Sequence, residues 1–353
     1  MNSFEALGRV GAYGLPGESN EPIVVGPFSD LAALAESQRM LPWLWDAVLN
    51  HRVANVSDDE REHLKRRVLA TVQTTLAAHS AATSVVSRLY EIGVLDVRIL
   101  KGCATAHLDY SAPKYRFSSD VDLLIRSEDR SSVLSLFAKS DVPVPRRTSW
   151  QDRYGKSTTV KDNGGVELDM HVTLSPGYFG LVLPIDELFA QVESFEVGGV
   201  EMHALDGPNR LIHAANHAAH SLNVGTHSVR DVPQLVLVSG VDWQESIERT
   251  VRWNVDGLFA LGVLKSWARF DIQGHPLVEW AKTHEAVGCQ RLALRLADHR
   301  PRGHLLNAPL ALPPQRWPGY VLPVMFPSRA YLIENNKEWS TRAKEIVREV
   351  FSK

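Results

Sequence analysis

Two aspartates one residue apart, Asp120 and Asp122, lie inside the apolar run RFSSDVDLLIR (116–126). An extended chain points residues i and i+2 to the same face. Both carboxylates therefore look the same way. Two like charges about 4 Å apart repel by about 4 kcal/mol at an effective dielectric of about 20. Water, a neighbouring Lys or Arg, or a bound divalent cation must offset that repulsion. A second acidic segment follows: Glu167, Asp169 and His171 alternate in VELDMH and share one face of a strand. Upstream, the short apolar run VRILKG (97–102) ends in a glycine turn that leads into CATAHLDY, a candidate helix. Such a turn can present backbone N–H groups and a helix dipole to phosphate. Three carboxylates on adjacent strands can hold one or two Mg²⁺ ions, with Mn²⁺ as a substitute. Two such ions activate an attacking hydroxyl and stabilise the leaving oxygen in phosphoryl transfer. Taken singly, each feature also fits a solvated sheet face. Their order is what joins them: strand, glycine turn, helix, Asp-x-Asp strand, acidic strand.

The elements that position these groups can be read from period and punctuation. Residues 29–51 read as a helix starting at Ser29 or Asp30, and residues 58–92 as a long helix capped by Ser57, with room for a break inside it. Segment 127–140 reads as a capped helix. The stretch 148–174 reads as two antiparallel strands turning at Asn163-Gly164-Gly165. A short helix and a hairpin follow Pro184. From Asp206 the pattern is helical again, with further helices at 231–240, 242–254, 256–269 and 276–297. The Pro-rich segment 300–328 reads as irregular, and STRAKEIVREVFSK as a last helix. The division expected is a flexible leader (1–28), an N-terminal helical region (29–95), a small α/β core (96–205), a C-terminal helical domain (206–300) and a tail (301–353). The fold class is α+β, a small mixed sheet flanked by helices.

With 353 residues the chain exceeds one ordinary core. Its 44% hydrophobic and 22% charged residues read as globular, and a net charge of −3 argues against bulk DNA binding. The two cysteines, Cys103 and Cys289, form no CxxC pair, which fits a reducing cytoplasm. No basic-then-apolar signal opens the chain, and no run of about 18 apolar residues suggests a membrane span.

Beyond the core, His213, His217 and His220 fall on one helix face, with Asp231 soon after. They could bind a transition metal, contact a nucleotide across a cleft, or simply pack. Arg146, Arg147, Arg153, Lys156 and Lys161 lie before or on the hairpin that carries Asp169, and could guide a polyanionic acceptor or form a solvated face.

The stretch GVLDVRILKGCATAHLDYSAPKYRFSSDVDLLIRSED resembles the core of the DNA polymerase β-type nucleotidyltransferase superfamily. More narrowly, it is similar to a large bacterial group of uncharacterised nucleotidyltransferases, which show LKG, an Arg before DxDLL, and a strand ending D/E-x-H. Here these are Lys101-Gly102, Arg116, Asp120-Val121-Asp122 and Asp169-Met170-His171. LIHAANHAAHS, Asp231, Asp242-Trp243 and FPSRAYL extend the similarity over residues 30–335.

The resemblance implies that Asp120 and Asp122 bind metal, and that Asp169 is the third carboxylate, which helps deprotonate an acceptor hydroxyl. It places Gly102 and Cys103 at the triphosphate turn, where the superfamily usually has Gly-Ser or Gly-Gly. Lys101 and Arg116 would meet phosphate or neutralise the aspartates. His171 would orient a carboxylate or touch substrate, and His217 would reach the nucleotide from the helical domain. The implied activity is Mg²⁺-dependent transfer of a nucleoside monophosphate from an NTP to an acceptor: a small molecule, a peptide or protein, or tRNA. The rival readings are a non-catalytic nucleotide-binding protein on the same fold and a phosphohydrolase built on the histidines.

Overall fold

The alternation in DVDLLI decides the layers. In the computed structural model, which describes residues 1–137, 148–220, 225–297 and 303–326 with Arg329 and Leu332, Val121, Leu123 and Ile125 enter one apolar cluster. Leu124 enters another, on the opposite face of the sheet. That sheet has six strands: β1 (Val97–Ile99), β2 (Asp120–Ile125), β3 (Ser157–Lys161), β4 (Glu167–His171), β5 (Glu193–Val197) and β6 (Val200–Ala204). Their spatial order is β3-β4-β2-β1-β6-β5. β2 runs parallel to β4 and antiparallel to β1, β1 runs parallel to β6, and the hairpins β3-β4 and β5-β6 form the two edges.

One face packs on the C-terminal half of the helix Asp58–Glu91 through Ala82, Val85, Val86 and Leu89. The other face is covered in part by helices Gly207–His220, Asp231–Leu237 and Asp256–Trp267. Asp120, Asp122 and Asp169 share the face of Leu124, so they look toward these C-terminal helices. The sheet and its helical flanks are the α+β arrangement expected. Among the described residues no helix is long and apolar enough to cross a membrane.

Several elements differ from expectation. Residues 1–28, expected as a flexible leader, contain the helix Ser3–Ala12, closed by an Asn2–Glu5 capping box, with Ala6, Leu7 and Val10 fully buried. Residues 29–51 form two helices, Phe28–Ser37 and Leu41–Leu49. Pro42 cannot continue a helix from the turn before it, and Arg39 takes φ +58° between the two. The long helix, by contrast, is unbroken over 34 residues, and Thr71, Thr74, Thr75 and Thr83 donate their hydroxyls to carbonyls four residues back. The first expected strand of 148–174 begins instead as the helix Ser149–Tyr154, because Thr148 and Gln151 form a capping box. The expected hairpin turn forms, with Asp162 Oδ1 accepting from Gly164 and Val166 N–H and Gly165 at φ +84°.

Helix 276–297 is two helices, Pro276–Thr283 and Gly288–Ala297, interrupted before Gly288 at φ +58°. In the described part of the segment expected as irregular, residues 303–326, helical turns form instead: Gly303–Asn307, and Trp317–Met325, where a proline in the first turn starts a helix as readily as it ends one. The last expected helix lies outside the described residues.

Candidate active site

β1 ends where Leu100 N–H donates to Asp122 C=O at 2.9 Å, which pins the following turn against β2. Lys101 then takes φ +36°, an uncommon conformation for a side-chain-bearing residue, and opens the helix Lys101–Leu108. From there Lys101 Nζ reaches Asp122 Oδ1 at 2.8 Å. Gly102 is required by contact. A Cβ there would lie 2.9 Å from Ser118 Cβ and closer still to its hydroxyl. Ser118 in turn donates to Asp120 C=O at 2.7 Å, so Gly102, Ser118 and the start of β2 form one bracket. Gly102→Ala is expected to cost about 1–3 kcal/mol by overpacking, read as a lowered melting temperature.

The parallel register sets Asp122 directly beside Asp169 and Asp120 beside Glu167. His171 Nε2 bridges the first pair, 2.8 Å from Asp122 Oδ1 and 3.0 Å from Asp169 Oδ2. Thr159, opposite Asp169 on β3, donates to Asp169 Oδ1 at 3.0 Å. Electrostatics separate the three acids. Burial and the neighbouring Asp122 charge raise the Asp120 carboxyl. Burial would also raise Asp122, but the Lys101 ammonium and the His171 hydrogen bond outweigh it and hold the carboxyl well below the usual range. In the same way His171 and Thr159 overcome burial at Asp169 and bring it down to about 2. The repulsion built into Asp-x-Asp is thus offset in two ways: Lys101 compensates Asp122, and Asp120 has a raised carboxyl.

Beside these groups opens a cleft of about 360 Å³, whose lining includes Arg39, Lys101, Gly102, Arg116, Ser118, Asp120, Asp122, His217, His227 and Ser228. The Arg39 guanidinium lies 4.9 Å from the centre of the Phe117 ring. A polar cleft with acids on its floor and Arg39, Lys101 and Arg116 around them can hold a polyanion together with a cation.

The expected site residues separate into those brought to the cleft and those that are not. Asp120, Asp122, Lys101, Gly102, Arg116 and His217 line it. Arg116 is buried, and its Nε contacts both Asp231 oxygens at 2.7 and 2.9 Å, with Tyr110 OH donating to the same carboxylate. Its direct partner is therefore Asp231, not Asp120 or Asp122. His171 is fully buried behind the carboxylates, and this placement fits orienting them rather than touching substrate. Of Cys103, only the backbone stays at the turn, within the first turn of the helix Lys101–Leu108. Its side chain faces the apolar cluster of Ala82 and Val85, away from the cleft, because successive helix residues diverge by about 100°.

His217 faces the cleft while His213 lines a smaller adjoining space with Lys101 and Arg210. Burial and the nearby lysines push His217 down to about 3, and burial and Lys156 do the same to His220, so both rings are neutral near pH 7. Among the described residues the three histidines do not bring their ligand atoms within reach of one metal ion, whereas Asp122, Asp169 and His171 do.

Sequence reasoning did not single out Arg39 or Ser118, which are ordinary types in ordinary segments. It placed Lys156 only on a basic hairpin. Of that basic set, Arg153 and Lys161 are exposed, Lys161 lies 3.6 Å from Glu167, and Arg146 and Arg147 fall outside the described residues. Lys156, just before β3, is close enough to Lys101, Asp122 and Asp169 to feel their charges. Burial and the Lys101 charge lower it to about 8.

The profile of a protein family described as "Uncharacterised nucleotidyltransferase" matches residues 27–267. A solved structure, an antigenic nucleotidyltransferase-like protein from Paracoccidioides brasiliensis, is similar over 50% of this chain and 86% of its own, at 17% identity and a TM-score of 0.32. No curated protein matches the sequence.

Proposed function

The chain belongs to the uncharacterised nucleotidyltransferase family, and we propose that it moves a nucleoside monophosphate from an NTP to an acceptor hydroxyl. The observation that carries this reading is that Asp122, on the floor of a cleft rimmed by Arg39, Lys101 and Arg116, pairs with Asp169 on the adjacent parallel strand. In the reaction the acceptor oxygen forms a bond to the α-phosphorus, the bond to pyrophosphate breaks, and the acceptor proton passes to a carboxylate or to water.

The donor set fits the hard cation that this chemistry uses. Asp122 and Asp169 offer oxygens that already converge on one nitrogen, and Asp120 stands two residues away on the same face. Asp120, Asp122 and Asp169 would hold Mg²⁺ or Mn²⁺, which when bound supplies charge to the phosphates and acidity to the acceptor hydroxyl. The rest follows from the chain's own groups. Asp169, held down at about 2, is charged throughout the physiological range. His171 fixes the two carboxylates in register. Lys101, on Asp122 at 2.8 Å, would be free to turn to phosphate if a cation compensated that carboxylate instead. Gly102 lets the backbone of the helix start come close to the triphosphate.

Lys156 gives a pH prediction. Below about 8 it is a cation beside the cleft and attracts triphosphate; above, it is neutral. NTP affinity is therefore expected to fall as pH rises past about 8, with the midpoint moving upward when phosphate is bound. Lys156→Met is expected to flatten that profile. Nucleotide titration across the pH range checks both.

Lys101 already neutralises Asp122, and this favours a second reading, a nucleotide-binding protein that does not catalyse. The deciding experiment incubates the protein with each α-phosphate-labelled NTP, Mg²⁺ and a cell extract fractionated into RNA, protein and small molecules. Label in one fraction establishes transfer and gives the acceptor class. NTP binding without label in any fraction supports the second reading, and no binding at all removes the nucleotide from the site.

A further inference from the structure

On the side of the helix Lys101–Leu108 away from the cleft, Cys103 and His107 lie four residues apart on one face. They meet His79 from the middle of the long helix Asp58–Glu91. The three side chains place ligand atoms within 4.8 Å of one another. His107 Nε2 and His79 Nδ1 are 3.2 Å apart. His79 and Cys103 are each 3% exposed. Phe195 stacks on the His107 ring with centroids 5.8 Å apart. Among the described residues, His79 Nε2 finds no hydrogen-bond partner, although the ring is buried.

We propose that His79, Cys103 and His107 form a second metal site, which takes Zn²⁺ in preference to Mg²⁺ and is independent of the carboxylates in the cleft. The donor chemistry selects the ion: one thiolate and two imidazoles suit Zn²⁺, whereas Mg²⁺ requires oxygen. The geometry is close to what the ion needs. With metal–nitrogen bonds of about 2.0 Å and a metal–sulfur bond of about 2.3 Å, ligand atoms around a tetrahedral ion stand about 3.3–3.6 Å apart. His79 Nδ1 and His107 Nε2, 3.2 Å apart, are already close to that spacing, and side-chain rotation brings in the sulfur. On binding, the thiol proton leaves to solvent as the sulfur–zinc bond forms, and the fourth position is left to water. The site ties the helix that starts at Lys101-Gly102 to the helix behind the sheet, and so stiffens the turn beside the cleft.

The test uses the full chain with Cys289→Ser, so that the exposed Cys289 thiol contributes no thiolate of its own. The protein is stripped with a chelator and titrated with Co²⁺ and then Zn²⁺ in excess Mg²⁺. Expected are about one Co²⁺ per chain, a thiolate-to-cobalt absorption band, displacement by Zn²⁺, and a higher melting temperature of the loaded protein. The band is expected to vanish in Cys103→Ser and to shift or vanish in His107→Gln, and to survive Asp122→Asn/Asp169→Asn. X-ray absorption of the zinc-loaded wild type, which needs no variant to fold, should show one sulfur and two imidazoles. Binding without a thiolate band, binding lost with the carboxylates, or a zinc shell without sulfur would each overturn the proposal.

Discussion

Asp122→Asn is expected to lower nucleotidyl transfer by at least about a thousandfold. If Asp122 holds the cation as proposed, its loss removes several kcal/mol of transition-state stabilisation, and about 1.36 kcal/mol is a factor of ten. The same change strikes stability. Asp122 is 7% exposed and balances Lys101, so its loss leaves a cation in the floor without its partner. Breaking a buried pair costs about 3–5 kcal/mol, and here the lower end applies because Lys101 keeps some access to water. The carboxyl is depressed, so its contribution is present above about pH 4 and is lost as pH falls below that. The wild type is therefore expected to lose this increment on acidification, and the variant to show a flatter acid limb. Label transfer and thermal melts on one preparation separate the effects. Lys101→Met added to Asp122→Asn should recover stability but not activity. Transfer within about tenfold of wild type in Asp122→Asn would remove this carboxylate from the chemistry.

The second large effect is at Asp231. Its carboxylate receives Arg116 Nε at 2.7 Å and Tyr110 OH at 2.9 Å, with Arg116 4% and Asp231 5% exposed. Asp231→Ala leaves a buried guanidinium unpaired, expected to cost about 3–5 kcal/mol and about 4–7 °C in melting temperature for a chain of this length. Arg116→Met/Asp231→Leu should cost less than the two single changes summed, since no buried charge is then orphaned. Arg116 also lines the cleft, so Asp231→Ala is expected to alter NTP affinity in whatever fraction stays folded. Calorimetry and nucleotide titration check the two together. An unchanged melting temperature would show that the pair contributes nothing net.

Much of the site was legible because strand alternation is strict. Asp120 and Asp122 could be assigned to one face of their strand, and Asp169 and His171 to one face of theirs, from a period of two alone. Glycine and capping signals marked the strand–turn–helix entry at Lys101-Gly102. The family likeness supplied the order of these pieces, and the matched profile agrees with it.

Tertiary structure decided everything that depends on which side chain meets which. The register of Asp122 with Asp169 comes from β2 pairing parallel with β4, and residues 126–166 lie between those strands. A pairing over that separation is set by the packing of the whole sheet, and no local rule fixes it. Lys101 and Arg116 looked interchangeable as phosphate ligands in the sequence, yet one took Asp122 and the other Asp231, because each buried carboxylate needs its own cation. Cys103 looked like part of the phosphate turn, but one step along a helix rotated it into the core beside His79, which lies 24 residues before it in the chain. The N-terminal segment looked featureless until its apolar face met Trp43 and, far along the chain, Phe270. Local period and punctuation thus determined most of the elements and the faces of their side chains. Register, ion pairing and the composition of the cleft were decided by the long-range packing of those elements, since burial and charge compensation depend on which elements meet.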